Sequence, residues 1–115
     1  MDTKNPLYIK ADLLAHEIYR ITISFPKREL YGITSQLRRA GLSVILNIIE
    51  GFARQSDGEF NHFCKIAFGS LKETKYLIDF CKTQNIIKTT DYEKLHSISE
   101  EVAKILWTII KQHQR

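Results

Sequence analysis

Apolar residues recur every three or four positions along most of the chain, which predicts helices throughout. Ala11, Leu14, Ala15, Ile18, Ile21 and Phe25 mark a first helix from Leu7 to Ser24, behind a short lead-in that ends at Pro6. The pair Phe25-Pro26 stops it, because a residue before proline avoids the α region, and Pro26 suits the first position of a second helix. The second helix runs from Pro26 to the Gly51–Arg54 region. Ser56-Asp57-Gly58-Glu59 reads as a capping box opening a third helix. Its inner stripe is Phe60, Phe63, Cys64, Ala67, Leu71, Thr74, Leu77, Ile78 and Cys81, with Phe68, Tyr76 and Phe80 off that stripe. After a connection over 85–89, Thr90-Asp91-Tyr92-Glu93 repeats the capping pattern. A fourth helix follows on Leu95, Ile98, Val102, Ile105, Leu106 and Ile109, with Trp107 and Ile110 beside them and a basic end from Lys111 to Arg115. No segment alternates as a strand would. Four helices with short loops predict an all-α, up-down-up-down antiparallel four-helix bundle, one domain over residues 1–115.

The second helix departs from the simple amphipathic plan. Leu30, Ile33, Leu37, Ala40, Gly41, Val44, Ile48 and Phe52 form one apolar stripe. Tyr31, Leu42, Leu46, Ile49 and Ala53 form a second sector on roughly the opposite side. A surface helix of a small monomer needs only one such stripe. Two predict burial from two directions, one against the core and one against a partner, with Tyr31, Leu42, Leu46 and Ile49 as the interface. Between the sectors runs a polar line of Gln36, Arg39, Ser43, Asn47, Glu50 and Arg54. Either these residues bond to one another and fix packing or subunit register, or their arginines face an open surface and bind phosphate. A buried charge must be paired, and this set offers its own pairs, which favours the structural role.

Composition adds little that changes this picture. At 115 residues the chain can bury a core, yet it stays in the size range where oligomerisation adds much of the stability. No apolar run reaches the ~18 residues of a membrane span, and residues 1–5 lack the apolar segment of a secretory signal. Cys64 and Cys81 fall on one helix, too far apart to bridge, which reads as two reduced thiols in a cytoplasmic protein. Charge is more informative. Residues 27–54 carry five basic and two acidic groups, +3 of the net +4. The basic ones are Lys27, Arg28, Arg38, Arg39 and Arg54. That bias suits an anionic partner; a solvated face or internal ion pairs would give it too.

Candidate chemistry is sparse. Glu59-x-x-His62 and Glu93-x-x-His96 resemble the carboxylate–histidine pairs of di-iron bundles. Both, however, open sequential antiparallel helices, which puts them at opposite ends of the bundle, and capping already explains the glutamates. His62, Cys64 and Cys81 make no zinc pattern. There is no nucleophile elbow and no phosphate loop; Gly41, Gly51, Gly58 and Gly69 stand alone, and Gly41 is better read as allowing close helix contact. Catalytic, cofactor and metal residues are therefore not expected.

The run Phe25-Pro26-Lys27-Arg28-Glu29-Leu30-Tyr31-Gly32, then Gln36-Leu37-Arg38-Arg39-Ala40, Ser43-Val44 and Asn47-Ile48-Ile49-Glu50-Gly51 with Arg54, resembles one family. These are the bacterial four-helix-bundle proteins encoded in intervening sequences of large-subunit ribosomal RNA genes. Ile49 departs from the pattern, where a small residue is expected. The resemblance implies a cytoplasmic bundle that assembles as a ring-like homopentamer. It also implies a fold similar to the accessory proteins of diversity-generating retroelements, which work beside a reverse transcriptase and bind nucleic acid. It brings no catalytic residues.

The expectation is a non-enzymatic assembly or adaptor protein. Weak, salt-sensitive, sequence-independent RNA or DNA binding would fall to Lys27, Arg28, Arg38, Arg39 and Arg54, gathered by the oligomer. No aromatic residues interleave with these cations in the way that single-strand stacking platforms require. The alternative is a small metal-binding or enzymatic bundle.

Overall fold

The computed structural model describes residues 3–114; the first two residues of the lead-in and Arg115 of the basic end lie outside the described residues. Four helices account for most of them: α1 (Pro6–Thr22), α2 (Ser35–Ala53), α3 (Asp57–Thr83) and α4 (Thr89–His113). Each packs on its neighbours in sequence, and α1 closes the square against α4. The result is an elongated antiparallel bundle of 43 × 22 × 21 Å. Among the described residues no helix is long and apolar enough to cross a membrane.

The periodic stripes become the core. Leu14, Ile18, Leu37, Val44, Ile48, Leu71, Ile78, Leu95, Val102 and Leu106 are sealed from solvent, each contributing roughly 1.5–3 kcal/mol by burial. Ile45, in neither expected sector of the second helix, is buried too. Cys64 and Cys81 are free and fully enclosed, and burial pushes each thiol up to about 11. Close packing explains two glycines. A Cβ on Gly41 would fall 2.5 Å from Cδ1 of Ile18, so α1 and α2 meet there backbone to side chain. A Cβ on Gly51 would press on Phe60 and Phe63 at the α2–α3 corner.

Helix starts follow local chemistry in two cases and depart from it in a third. Asn5 caps α1, its side chain accepting from the Leu7 amide at 2.9 Å, with Pro6 in the first turn. Ser56 caps α3 by accepting from the Glu59 amide at 3.1 Å, and its hydroxyl donates to the Glu59 carboxylate. The predicted box at Thr90 does not form. α4 begins at Thr89, behind Lys88, with no side-chain cap.

The larger correction concerns the second helix, which is not continuous from Pro26. Pro26 is extended (ψ 139°) and precedes a single 3-10 turn at Lys27–Glu29. A wide turn over Leu30–Thr34 follows, broken at Gly32 (φ −115°, ψ −113°), before α2 starts at Ser35. The break turns Leu30 out of the core stripe and leaves it exposed, while Phe25 and Leu37 on either side stay buried.

Candidate functional site

The break at Gly32 and the outer side of α2 shape a groove of about 660 Å³ between α1 and α2. Leu30, Tyr31, Leu42 and Leu46 supply its apolar surface, and Arg38, Arg39, Ser43 and Asn47 its polar one. Tyr31 is 94% exposed and Leu46 57%. Three of the four expected interface residues thus share one open surface. The fourth, Ile49, is half-buried against the edge of the core.

Tertiary packing adds residues that the sequence did not point to. Tyr19 of α1 lies under the Arg38 guanidinium, 4.5 Å from ring centroid to Cζ. Arg38 Nε donates to Thr22 Oγ1 at 2.8 Å, and that hydroxyl in turn donates to the Ile18 carbonyl at 2.7 Å. Arg38 is therefore held in place with much of its fork free. Arg39 makes no ion pair among the described residues and is exposed. Tyr19 thus joins the cations from another helix, and Tyr31 lines the same groove. Arg54 likewise lies over Phe63 at 5.1 Å. The one available signal for Tyr19 was an aromatic residue off the inner stripe of α1.

Apart from Arg39, which lines the groove, the polar line of α2 divides into three. Asn47 Nδ2 donates to the Ser43 carbonyl at 2.8 Å and to its hydroxyl at 3.1 Å, and Ser43 Oγ meets Ser70 Oγ of α3 at 2.8 Å. This part ties α2 to α3. Glu50 and Arg54 form an exposed pair at 2.9 Å, with Glu59 4.0 Å from the same guanidinium. Gln36 faces a different hollow, with Ile33, Tyr76 and Phe80. The five candidate cations are divided as well. Arg28 contacts Glu29 at 3.7 Å and Arg54 is paired, whereas Lys27, Arg38 and Arg39 form no salt bridge among the described residues. Lys27 and Arg38 share a smaller hollow behind the wide turn.

The two carboxylate–histidine pairs sit near the starts of α3 and α4, within their first two to three turns. Among the described residues no three His, Cys, Asp or Glu side chains converge as metal ligands. Groups with displaced ionisation also lie outside the groove. Glu17 is held low by Arg20 and Lys94, Glu100 is held low by Lys75, and Tyr92 is raised by its bond to Asp79.

Fold and groove together define an antiparallel four-helix bundle with an open, arginine-lined apolar face on its second helix. The chain belongs to the 23S rRNA-intervening sequence protein family, whose sequence profile matches residues 3–108. It is also similar to a protein of unknown function from the S23 ribosomal protein family of Bacteroides thetaiotaomicron VPI-5482, seen in a crystal structure. The two are 27% identical and superpose with a TM-score of 0.81, over 91% of this chain and 98% of that one. Among curated proteins no sequence matches.

Proposed function

We propose that this protein is a non-enzymatic, cytoplasmic adaptor that works as a homo-oligomer and uses the α1–α2 groove for self-association. The observation that carries the reading is the exposure of Tyr31 and Leu46 beside Leu42 and Leu30 on one continuous surface. A contiguous apolar face rimmed by polar groups is the usual mark of a protein interface. The ring of five implied by the family resemblance is the assembly to test for.

Light scattering at micromolar protein is the direct measurement, and a monomer there defeats the proposal. Leu46→Glu removes an apolar contact and adds a charge, so it weakens association by at least about 2 kcal/mol, roughly thirty-fold. Far-UV helicity stays intact, since Leu46 lies outside the core. Metal analysis of untagged protein covers the alternative; stoichiometric iron, manganese or zinc would replace the adaptor reading with a metalloprotein.

Nucleic-acid binding is a second activity of the same assembly. Support comes from Lys27, Arg38 and Arg39, whose charges have no acidic partner among the described residues and stand beside the groove, a combination suited to phosphate. One protomer is too weakly charged for tight binding, so affinity depends on the oligomer and falls steeply with salt. RNA or DNA binding at about 50 mM and about 200 mM salt is the measurement. An Arg38→Glu/Arg39→Glu variant that still assembles should lose it; equal binding by that variant ends the idea.

A further inference from the structure

The opposite side of the bundle carries a second groove, between α3 and α4, of about 460 Å³. Phe68, Ala103 and Trp107 line its apolar part. The two rings touch at 5.6 Å between centroids, tilted by 33°, and Trp107 is 49% exposed. Lysines stand on both flanks: Lys72 and Lys75 on α3, Lys104 and Lys111 on α4. Among the described residues one carboxylate answers them, Glu100, which pairs with Lys75 and lies close enough to Lys72 for its charge to be felt. Lys72 lies 5.2 Å from the Phe68 centroid and Lys111 4.8 Å from that of Trp107. Lys72, Lys104 and Lys111 thus form no salt bridge among the described residues, around an exposed Trp107 and a half-buried Phe68. None of it belongs to the α1–α2 groove.

We propose that this face is the docking site for an acidic amphipathic helix of a partner protein. A trough between two antiparallel helices accepts the ridge of a third helix, and aromatic side chains at its centre act as anchors. Cations on both flanks complement acidic residues on either side of that ridge. Lys104 and Lys111 are two turns apart, about 10 Å along α4, which matches carboxylates at i and i+7 of an incoming helix. A single-stranded nucleic acid fits less well. The faces of both rings are already covered by ammonium groups and the rings tilt against each other, so no open, parallel stacking surface is offered.

Trp107 is the sole tryptophan of the chain and reports on the site directly. The experiment titrates the full-length protein with a synthetic 18-residue helical peptide carrying leucines on one ridge and glutamates on both flanks. A twin peptide with glutamine at every glutamate, and a uridine dodecamer, serve as the other probes. Saturable change in Trp107 emission is expected with the acidic peptide, weaker by about ten-fold or more with the glutamine peptide or with Lys72→Glu/Lys104→Glu protein. Lys104→Glu and Lys111→Glu singly, at exposed positions, give the same ordering should the double variant fold poorly. Binding persists in Leu46→Glu protein, which separates this site from self-association. Three results overturn the proposal. The acidic peptide produces no saturable change; the uridine dodecamer saturates at lower concentration than the peptide; or Lys72→Glu/Lys104→Glu dissociates the oligomer, making the face a contact between copies.

Discussion

Glu17 is 8% exposed, which is unusual for a carboxylate inside a helix that faces a bundle core. It is tolerated because Arg20 holds it at 2.5 Å from the next turn and Lys94 reaches it from α4. These partners, Arg20 first and Lys94 second, hold its pKa below the usual 4.5. A depressed folded-state pKa contributes stability that is complete above the unfolded value and is lost as pH falls through the folded one. Glu17→Gln should therefore cost about 1–2 kcal/mol at neutral pH, read from urea midpoints. The gap between variant and wild type should close as pH drops below 4.5. An unchanged gap at low pH would mean that shape, not charge, holds this position. Glu17 was invisible as a core residue in the sequence, because it lies next to the α1 stripe and its second partner is 77 positions away along the chain.

Helices α1 and α2 depend on their closest approach. Gly41 faces Ile18 with no room for a Cβ, and Ile18 is itself fully buried. Gly41→Leu must push the two helices apart and should destabilise by about 3 kcal/mol, measured by thermal or urea unfolding. Loss of less than about 1 kcal/mol would mean the helices slide freely past each other. Gly41 was legible in advance, since a lone glycine on an apolar stripe signals close contact. The break at Gly32 was not. Leu30, Ile33 and Leu37 keep helical spacing across it, so periodicity runs smoothly through a point where the backbone leaves the helix. The start of α4 failed for the opposite reason. A capping box is a preference worth about 1 kcal/mol, and the packing of Leu95 and Ile98 fixes the helix whether or not the box forms.

At the scale of the molecule, the square of helices follows from four amphipathic stripes, which were in the pattern, and from connections of which the two around α3 are short while the irregular one before α2 was not foreseen. The grooves were not, because each is made by two helices. Tyr19 joins Arg38 across α1 and α2, Ser70 joins Ser43 across α2 and α3, and Phe68 joins Trp107 across α3 and α4. Only the face of α2 that has too much apolar surface announced itself in one dimension. The interruption before α2 has one more consequence. In an unbroken helix, adding or removing a residue rotates everything beyond it by about 100° and turns an inner stripe outward. Here the core is pinned at Phe25 and again at Leu37, with irregular backbone between them. Length changes in residues 27–34 are absorbed in that stretch, leaving the phase of α2 untouched. Insertions and deletions can thus remodel the rim of the groove, from Leu30 to Ser35, while the bundle beneath keeps its register.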